Sequence, residues 1–190
     1  MNLGGIWFTN ISLNWHNKMF VEYYTYDYHY ASRLNPKLYD IVLENVYHSV
    51  NGKGYITLMD LHTRGIKEVD ILITWIKNII PEVACKFVAN GESKGDIVGF
   101  NANSFKINEC WGIHYDKGQK VVKHNHFPYT LTFAYCVNAP DKSSPLIIEG
   151  ERITPVPGRV IFFLGHQYHG TLPSKVDGRC MIVGNVLYAP

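Results

Sequence analysis

The chain has 190 residues, 46% of them hydrophobic, 14% aromatic and only 18% charged, with a formal net charge of +2. That composition suits one domain (1–190) with a sizeable core and excludes a disordered chain. The lack of a dense basic block argues against duplex nucleic acid as a partner, the lack of about 18 unbroken apolar residues argues against a membrane span, and the lack of a basic-then-apolar leader leads to an expected cytoplasmic location.

The first 30 residues are rich in tyrosine. Tyr23, Tyr24, Tyr26, Tyr28 and Tyr30 alternate loosely, which predicts one or two strands whose rings pack over a core. Asn35-Pro36 is expected to open a helix, with Asn as cap and Pro in the first turn, and Leu38, Ile41, Val42 and Val46 form its apolar stripe. A Gly-rich turn at 51–54 follows. Val69, Leu72, Ile73, Ile76 and Ile80 mark a second amphipathic helix, which Pro81 is expected to interrupt, starting a short third one through Val88. After Gly99 the pattern changes to short strands broken by Gly, Pro, Asn and Asp, placed near 105–116, 120–126, 129–138, 145–149, 159–164, 167–172 and 178–188. Helices first and strands after predict an α+β fold: residues 1–100 supply aromatic strands and flanking helices, and residues 101–190 an all-β barrel core. Cys85, Cys110, Cys136 and Cys180 are widely spaced with no C-x-x-C pair, so reduced core thiols are expected rather than disulfides or a zinc site.

Five of the nine histidines lie between 114 and 169, and two of them form His124-Asn125-His126. On a strand, alternate side chains share a face, so both imidazoles would point the same way. Two adjacent inward imidazoles suggest a metal ion, although the pair alone also fits two exposed histidines on a strand edge. His166 and His169 would face opposite sides of a strand. His114 is expected to be structural or to support the site, and His16, His29, His48 and His62 to be ordinary surface or core residues.

Further on, the chain runs Pro157-Gly158, an apolar stretch 160–164, His169, Pro173 and Arg179, with Trp111, Gly118, Pro128 and Tyr135 upstream. Together with His124-x-His126, this order resembles the double-stranded β-helix (a jelly-roll, cupin-like barrel) of the 2-oxoglutarate- and Fe(II)-dependent dioxygenases. It is most similar to the small 2OG-Fe(II) oxygenases of phage and marine bacterial genomes, over roughly 105–188. The resemblance implies a barrel with the N-terminal helices packed on it. It implies Fe(II) held by His124, His126 and His169, with His126 in the position of the family's carboxylate. It implies 2-oxoglutarate received by Arg179, with a hydroxyl from Tyr115, Tyr129 or Thr132 assisting and Asn185 as a polar residue on the same last strand. The implied reaction is hydroxylation of an unidentified protein side chain or small molecule, with decarboxylation of 2-oxoglutarate to succinate. Replacing the usual carboxylate by His126 removes one negative charge from the ligand set, which alters potential and metal preference.

Two other readings stay open. Gly118, five residues, then His124-Asn125-His126 fits the start of a cupin motif, which would make this a three-His cupin such as a thiol dioxygenase or isomerase. That motif expects a Glu shortly after, where 129–132 reads Tyr-Thr-Leu-Thr, and it has no need of Arg179. The other is a β-barrel binding module without chemistry. Exposed edge strands also leave a homodimer open.

Overall fold

A computed structural model describes residues 21–47, 54–89 and 101–190. In chain order these form β1 (Tyr23–Asp27), α1 (Ala31–Asn45), β2 (Tyr55–Ile56), α2 (Lys67–Ala89), β3 (Phe105–Tyr115), β4 (Leu131–Asn138), β5 (Leu146–Ile148), β6 (Glu151–Ile153), β7 (Arg159–Leu164), β8 (His169–Thr171) and β9 (Arg179–Tyr188). Every strand pair is antiparallel. Six strands form one sheet in the order β1-β7-β4-β9-β3-β2, and three form a second in the order β6-β5-β8.

Strand periodicity sorts the large sheet's side chains onto two faces. One face carries Cys110, Phe133, Tyr135, Val160, Phe162, Cys180 and Ile182, which join the buried stripes of α1 and α2 in one apolar cluster. The other face carries Trp111, Ile113, Tyr115, Ala134, Cys136, Ile161, Phe163 and Met181. These pack with Leu146, Ile148 and Ile153 of the small sheet in a second cluster. The strands therefore lie between helices on one side and the second sheet on the other, which is why β4 is buried from Leu131 to Val137. The tyrosines of β1 follow the same rule: Tyr24 and Tyr26 pack toward the helices, and Tyr23 packs with the inner cluster.

Several boundaries differ from expectation for identifiable reasons. Helix α1 starts at Ala31 with Tyr30 as cap, and Pro36 lies inside it. Asn35 is no cap. It is buried, donates from Nδ2 to the Val137 carbonyl at 2.7 Å, and accepts from the Tyr135 hydroxyl at 2.7 Å. Pro36 costs the carbonyl of Ser32 its helical partner, but Ser32 is exposed to water, and Leu34, Leu38 and Val42 remain buried in one stripe. Pro81 likewise fails to end α2, because Val83 and Ala84 continue the stripe of Ile76 and Ile80 into the core. Strand β6 has no counterpart among the expected strands. It follows β5 through a two-residue turn in which Glu149 and Gly150 both have positive φ, and Glu is a weak signal for that turn. The expected strand at 120–126 is a loop joined to β8 by a single bridge, His124 to His169. The regular ladder fails there because the Val121 amide donates to the Thr171 side-chain oxygen, at 2.9 Å, instead of to a backbone carbonyl.

All four cysteines are free, with Cys110, Cys136 and Cys180 buried and Cys85 exposed rather than in the core. Among the described residues, no helix is long and apolar enough to cross a membrane. The expectations for the turn at 51–54, for His16 and His48 and for the first 20 residues fall mainly or wholly outside the described residues.

Candidate metal centre

Three imidazoles meet at the end of the inner cluster. His169 opens β8, and His124 lies opposite it, joined through backbone bonds in both directions (His124 N to His169 O, 3.0 Å; His169 N to His124 O, 2.8 Å). His126 is tied two residues on, its amide donating to the Gly165 carbonyl at 2.7 Å. His124 and His126 thus converge because their loop is stitched to the β7–β8 turn and to β8, not because they alternate along a strand. Gly165 is essential to this stitch. A Cβ there would lie 2.0 Å from the Tyr129 carbonyl oxygen, so only glycine lets the loop come this close.

The Nε2 atom of His126 lies 3.2 Å from that of His124 and 3.1 Å from that of His169. The other ring nitrogens of the outer two are engaged: His124 Nδ1 donates to the Val122 carbonyl at 2.8 Å, and His169 Nδ1 to the Gln167 carbonyl at 3.1 Å. That fixes the tautomer with a bare Nε2, the form that ligates metal. His126 Nε2 carries at most one proton, so at least one of these two short contacts sets bare nitrogens against each other unless a cation lies among them. Metal–nitrogen bonds of about 2.1 Å place donors roughly 3.0 Å apart at a cis octahedral edge and roughly 3.4 Å apart in a tetrahedron. Both separations from His126 fall within this span, and the three donor atoms lie within 4.8 Å of one another, so the set can gather around a transition-metal ion. Among the described residues no other group of three such side chains meets.

Apolar contacts hold the rings in place. Trp111 stacks on His126 with centroids 5.8 Å apart, and Phe163 meets His169 edge-on at 4.7 Å. Burial pushes the His169 imidazole down to about 3, helped by His124 and His126 and opposed by its bond to Gln167. Burial and then His124 push His126 down to about 4, against the pull of Glu109 and Asn185. Both rings are therefore neutral and ready to ligate at neutral pH. They also bind fewer protons in the folded chain than in the unfolded one between about pH 4 and their ordinary value of 6.5. The metal-free protein should accordingly lose stability as pH falls through this window, with no contribution from these groups above it. Urea midpoints measured in chelator from about pH 7 to pH 4 would check this, and a midpoint that rises on acidification would contradict it.

The remaining sequence-derived residues mostly line the same inner face. Arg179 opens β9 and is 1% exposed. Its guanidinium lies over the ring of Tyr115, its cross-strand partner, at 4.9 Å. It has no carboxylate partner among the described residues, and its buried Nε has no hydrogen bond. Thr132 and Asn185 face each other across β4 and β9, with the threonine hydroxyl 3.4 Å from Asn185 Oδ1. The Tyr129 hydroxyl is engaged with β3 instead, accepting from Asn108 at 3.1 Å, and burial and then the Glu109 carboxylate push its phenol up. Tyr135 and His114 face the helices; His114 Nε2 meets the Tyr39 hydroxyl at 3.1 Å, so its part is structural. His166 is exposed. A surface cleft of about 530 Å³ lined by His62, Lys77, Phe105 and Lys106 shares no residue with this site.

Sequence reasoning missed Glu109. Its carboxylate accepts from Asn185 Nδ2 at 2.8 Å, and its charge favours the protonated form of the His126 ring.

No protein-family model matches the chain, and no curated sequence does either. Solved structures do. A prolyl-4-hydroxylase from Pseudomonas putida superposes with a TM-score of 0.62 at 14% identity, over 88% of this chain and 92% of that one. A viral collagen prolyl hydroxylase from Paramecium Bursaria Chlorella virus-1, solved with 2OG, gives 0.64 at 13% identity, over 88% and 96%. A non-haem α-ketoglutarate-dependent epimerase of nogalamycin biosynthesis gives 0.63 at 11% identity, over 90% and 81%. The chain has the fold of the 2OG-Fe(II) oxygenases.

Proposed function

We propose that the protein is a non-haem Fe(II)- and 2-oxoglutarate-dependent oxygenase, with residues 1–190 acting as one domain and the two sheets forming a double-stranded β-helix. The observation that carries this reading is the pairing of three convergent imidazoles with an unpaired buried guanidinium on one interior face. His124, His126 and His169 would hold the iron. Three ligands on one face leave the opposite positions for cosubstrate and oxygen. When bound, iron and 2-oxoglutarate supply oxidative decarboxylation to succinate, coupled to hydroxylation of a substrate C–H bond.

The chain's own part is to bind, orient and keep water out. Arg179 offers a planar, permanently charged donor pair to the far carboxylate of 2-oxoglutarate, in a buried position where no described residue neutralises it. Tyr115 supports the guanidinium from below, and burial, opposed by Arg179, keeps its phenol protonated and able to donate. Thr132 and Asn185 lie on the same face. Trp111 and Phe163 wall the imidazoles from solvent. Val122 and Phe127 flank the ligands in sequence and are exposed, Phe127 by 78%, giving the primary substrate an apolar rim to meet. That substrate is a protein side chain or a small molecule, two kinds that match the names of the similar enzymes.

The buried Arg179 favours this reading over a three-His cupin, which needs no anion receptor at that place. The test is anaerobic loading with Fe(II), then oxygen, with succinate measured against a chelated control. Metal-dependent succinate formation, even without primary substrate, is expected. Metal binding with no consumption of 2-oxoglutarate would overturn the proposal in favour of the cupin.

A further inference from the structure

The surface cleft beside His62 carries positive charge that the metal centre does not use. We propose that this cleft, between α2 and the start of β3, is a second ligand site that takes a phosphate monoester carried on an apolar body. The cleft shares no residue with the metal centre and lies on the other face of the large sheet. Its Ile80 and Ile107 belong to the helix-side cluster, whereas the Trp111 and Phe163 that hold the metal-site rings belong to the inner one.

Local structure gives the cleft its chemistry. On α2, Lys77 and Ile80 are one turn apart and so share one side of the helix. Ile80 is buried in the helix-side cluster, and Lys77 is exposed at its border. On the sheet side, the ladder between β3 and β9 slips: Ile107 pairs with Val186, and Glu109 pairs with Asn185. Asn108 is the extra residue. Regular alternation would put Ile107 and Glu109 on one face, which would stand a carboxylate beside the cleft. The bulge instead turns Ile107 to the helices while Glu109 bonds to Asn185.

Among the described residues, Lys77 and Lys106 line the cleft, no acidic residue lines it, and neither lysine has an ion pair. Asp60, the nearby acid, is held by Arg64 at 2.8 Å. An ammonium is a compact charge that suits a phosphate, whereas a carboxylate is better matched by a planar guanidinium. A phosphate monoester carries about −1.5 to −2 charges at neutral pH, which two lysines balance. Ile80, Phe105 and Ile107 supply an apolar wall, and the volume of about 530 Å³ is far more than a phosphate group fills but ordinary for a small-molecule site. That is the reason for an apolar body on the ester. His62, in the short turn 61–63 before α2, also lines the cleft, and its Nδ1 is buried without a hydrogen bond. A buried polar atom without a partner is rare enough to mark a site. Burial and then the Lys77 charge lower the proton affinity of this ring, against the pull of Asp60 and the Ile107 backbone. A dianion between the lysines offsets the Lys77 charge, so His62 takes up a proton more readily when the cleft is filled.

The test is a titration of the full chain with phenyl phosphate, followed by proton–nitrogen NMR, with phenol, benzoate and inorganic phosphate as comparison probes. Saturable shifts are expected at the amides of His62, Lys77 and Lys106, together with a rise in the pH at which the His62 ring titrates. Inorganic phosphate should bind at least about tenfold more weakly, because it buries no ring. Phenol, which has the ring without the charge, should produce no shifts there. K77Q should weaken phenyl phosphate binding roughly 3- to 10-fold, and K77E/K106E should abolish it. Both positions are exposed, so the circular dichroism of these variants and their Co(II) affinity should match wild type. Benzoate binding as tightly as phenyl phosphate overturns the choice of phosphate. An absence of shifts at the three residues, shifts confined to the imidazoles or Arg179, or unchanged affinity in the lysine variants overturns the site. Each of these results leaves the metal centre standing.

Discussion

Replacing His169 with alanine is expected to abolish metal binding while leaving the chain folded. The two consequences separate because His169 does two things through different atoms. Its backbone makes the bridge to His124 in both directions, and alanine keeps both bonds. Its side chain supplies Nε2, within 3.1 Å of His126 Nε2, and alanine has no donor. Loss of a residue that merely supports a ligand typically costs 10- to 100-fold in affinity, so loss of one of three ligands should cost at least about a hundredfold. Two imidazoles on one side of an ion leave a site that exchanges freely with solvent. The structural penalty should be small. The lost ring contact with Phe163 is opposed by the removal of an imidazole whose depressed proton affinity reports its burial. Titration calorimetry with Co(II), together with circular dichroism, would check this. Near-wild-type affinity in a folded H169A variant would mean that the imidazoles are not the ligand set.

These residues are legible in the sequence for reasons that the structure only partly shares. The spacing of His124 and His126 suggests a common face on a strand, but the segment is a loop. The two rings meet because backbone bonds to Gly165 and His169 curve it around the end of the small sheet. The offset from His169 to Arg179 is informative for a firmer reason: β8 and β9 are true strands, one in each sheet, joined by a short connection, so sequence distance maps onto position from one sheet to the other. The helices are legible as apolar stripes and misleading at their prolines, since a local rule against Pro in a helix is overridden by burial of the stripe on either side. Glu109 is invisible because regular alternation hides a bulge. Only the slip in register at Asn108 shows that Ile107 and Glu109, two residues apart, face opposite cores.

Replacing Arg179 with methionine should raise the stability of the cosubstrate-free protein while destroying its response to 2-oxoglutarate. The guanidinium is 1% exposed, has no carboxylate partner among the described residues and leaves a buried Nε without a hydrogen bond. Its compensation is contact with the face of Tyr115 at 4.9 Å, which is worth about 2 kcal/mol when desolvated and is less than the several kcal/mol that burying a charge typically costs. An unbranched thioether of similar reach would fill the same volume among Tyr115, Cys136 and Met181 without that cost. A gain of roughly 1–3 kcal/mol is expected, which at this chain length corresponds to a few degrees or more in Tm. Losing one partner of a buried charge pair costs about 2–5 kcal/mol, so apparent affinity for 2-oxoglutarate should fall by roughly 30- to 5,000-fold. Co(II) affinity should be unchanged, because none of the three imidazoles contacts this side chain. A stabilised, metal-binding, 2-oxoglutarate-blind variant is the signature of a charge kept for its ligand. An R179M variant that instead unfolds, with 2-oxoglutarate having no effect on wild-type stability, would mark Arg179 as a structural cation and remove the main argument for the cosubstrate.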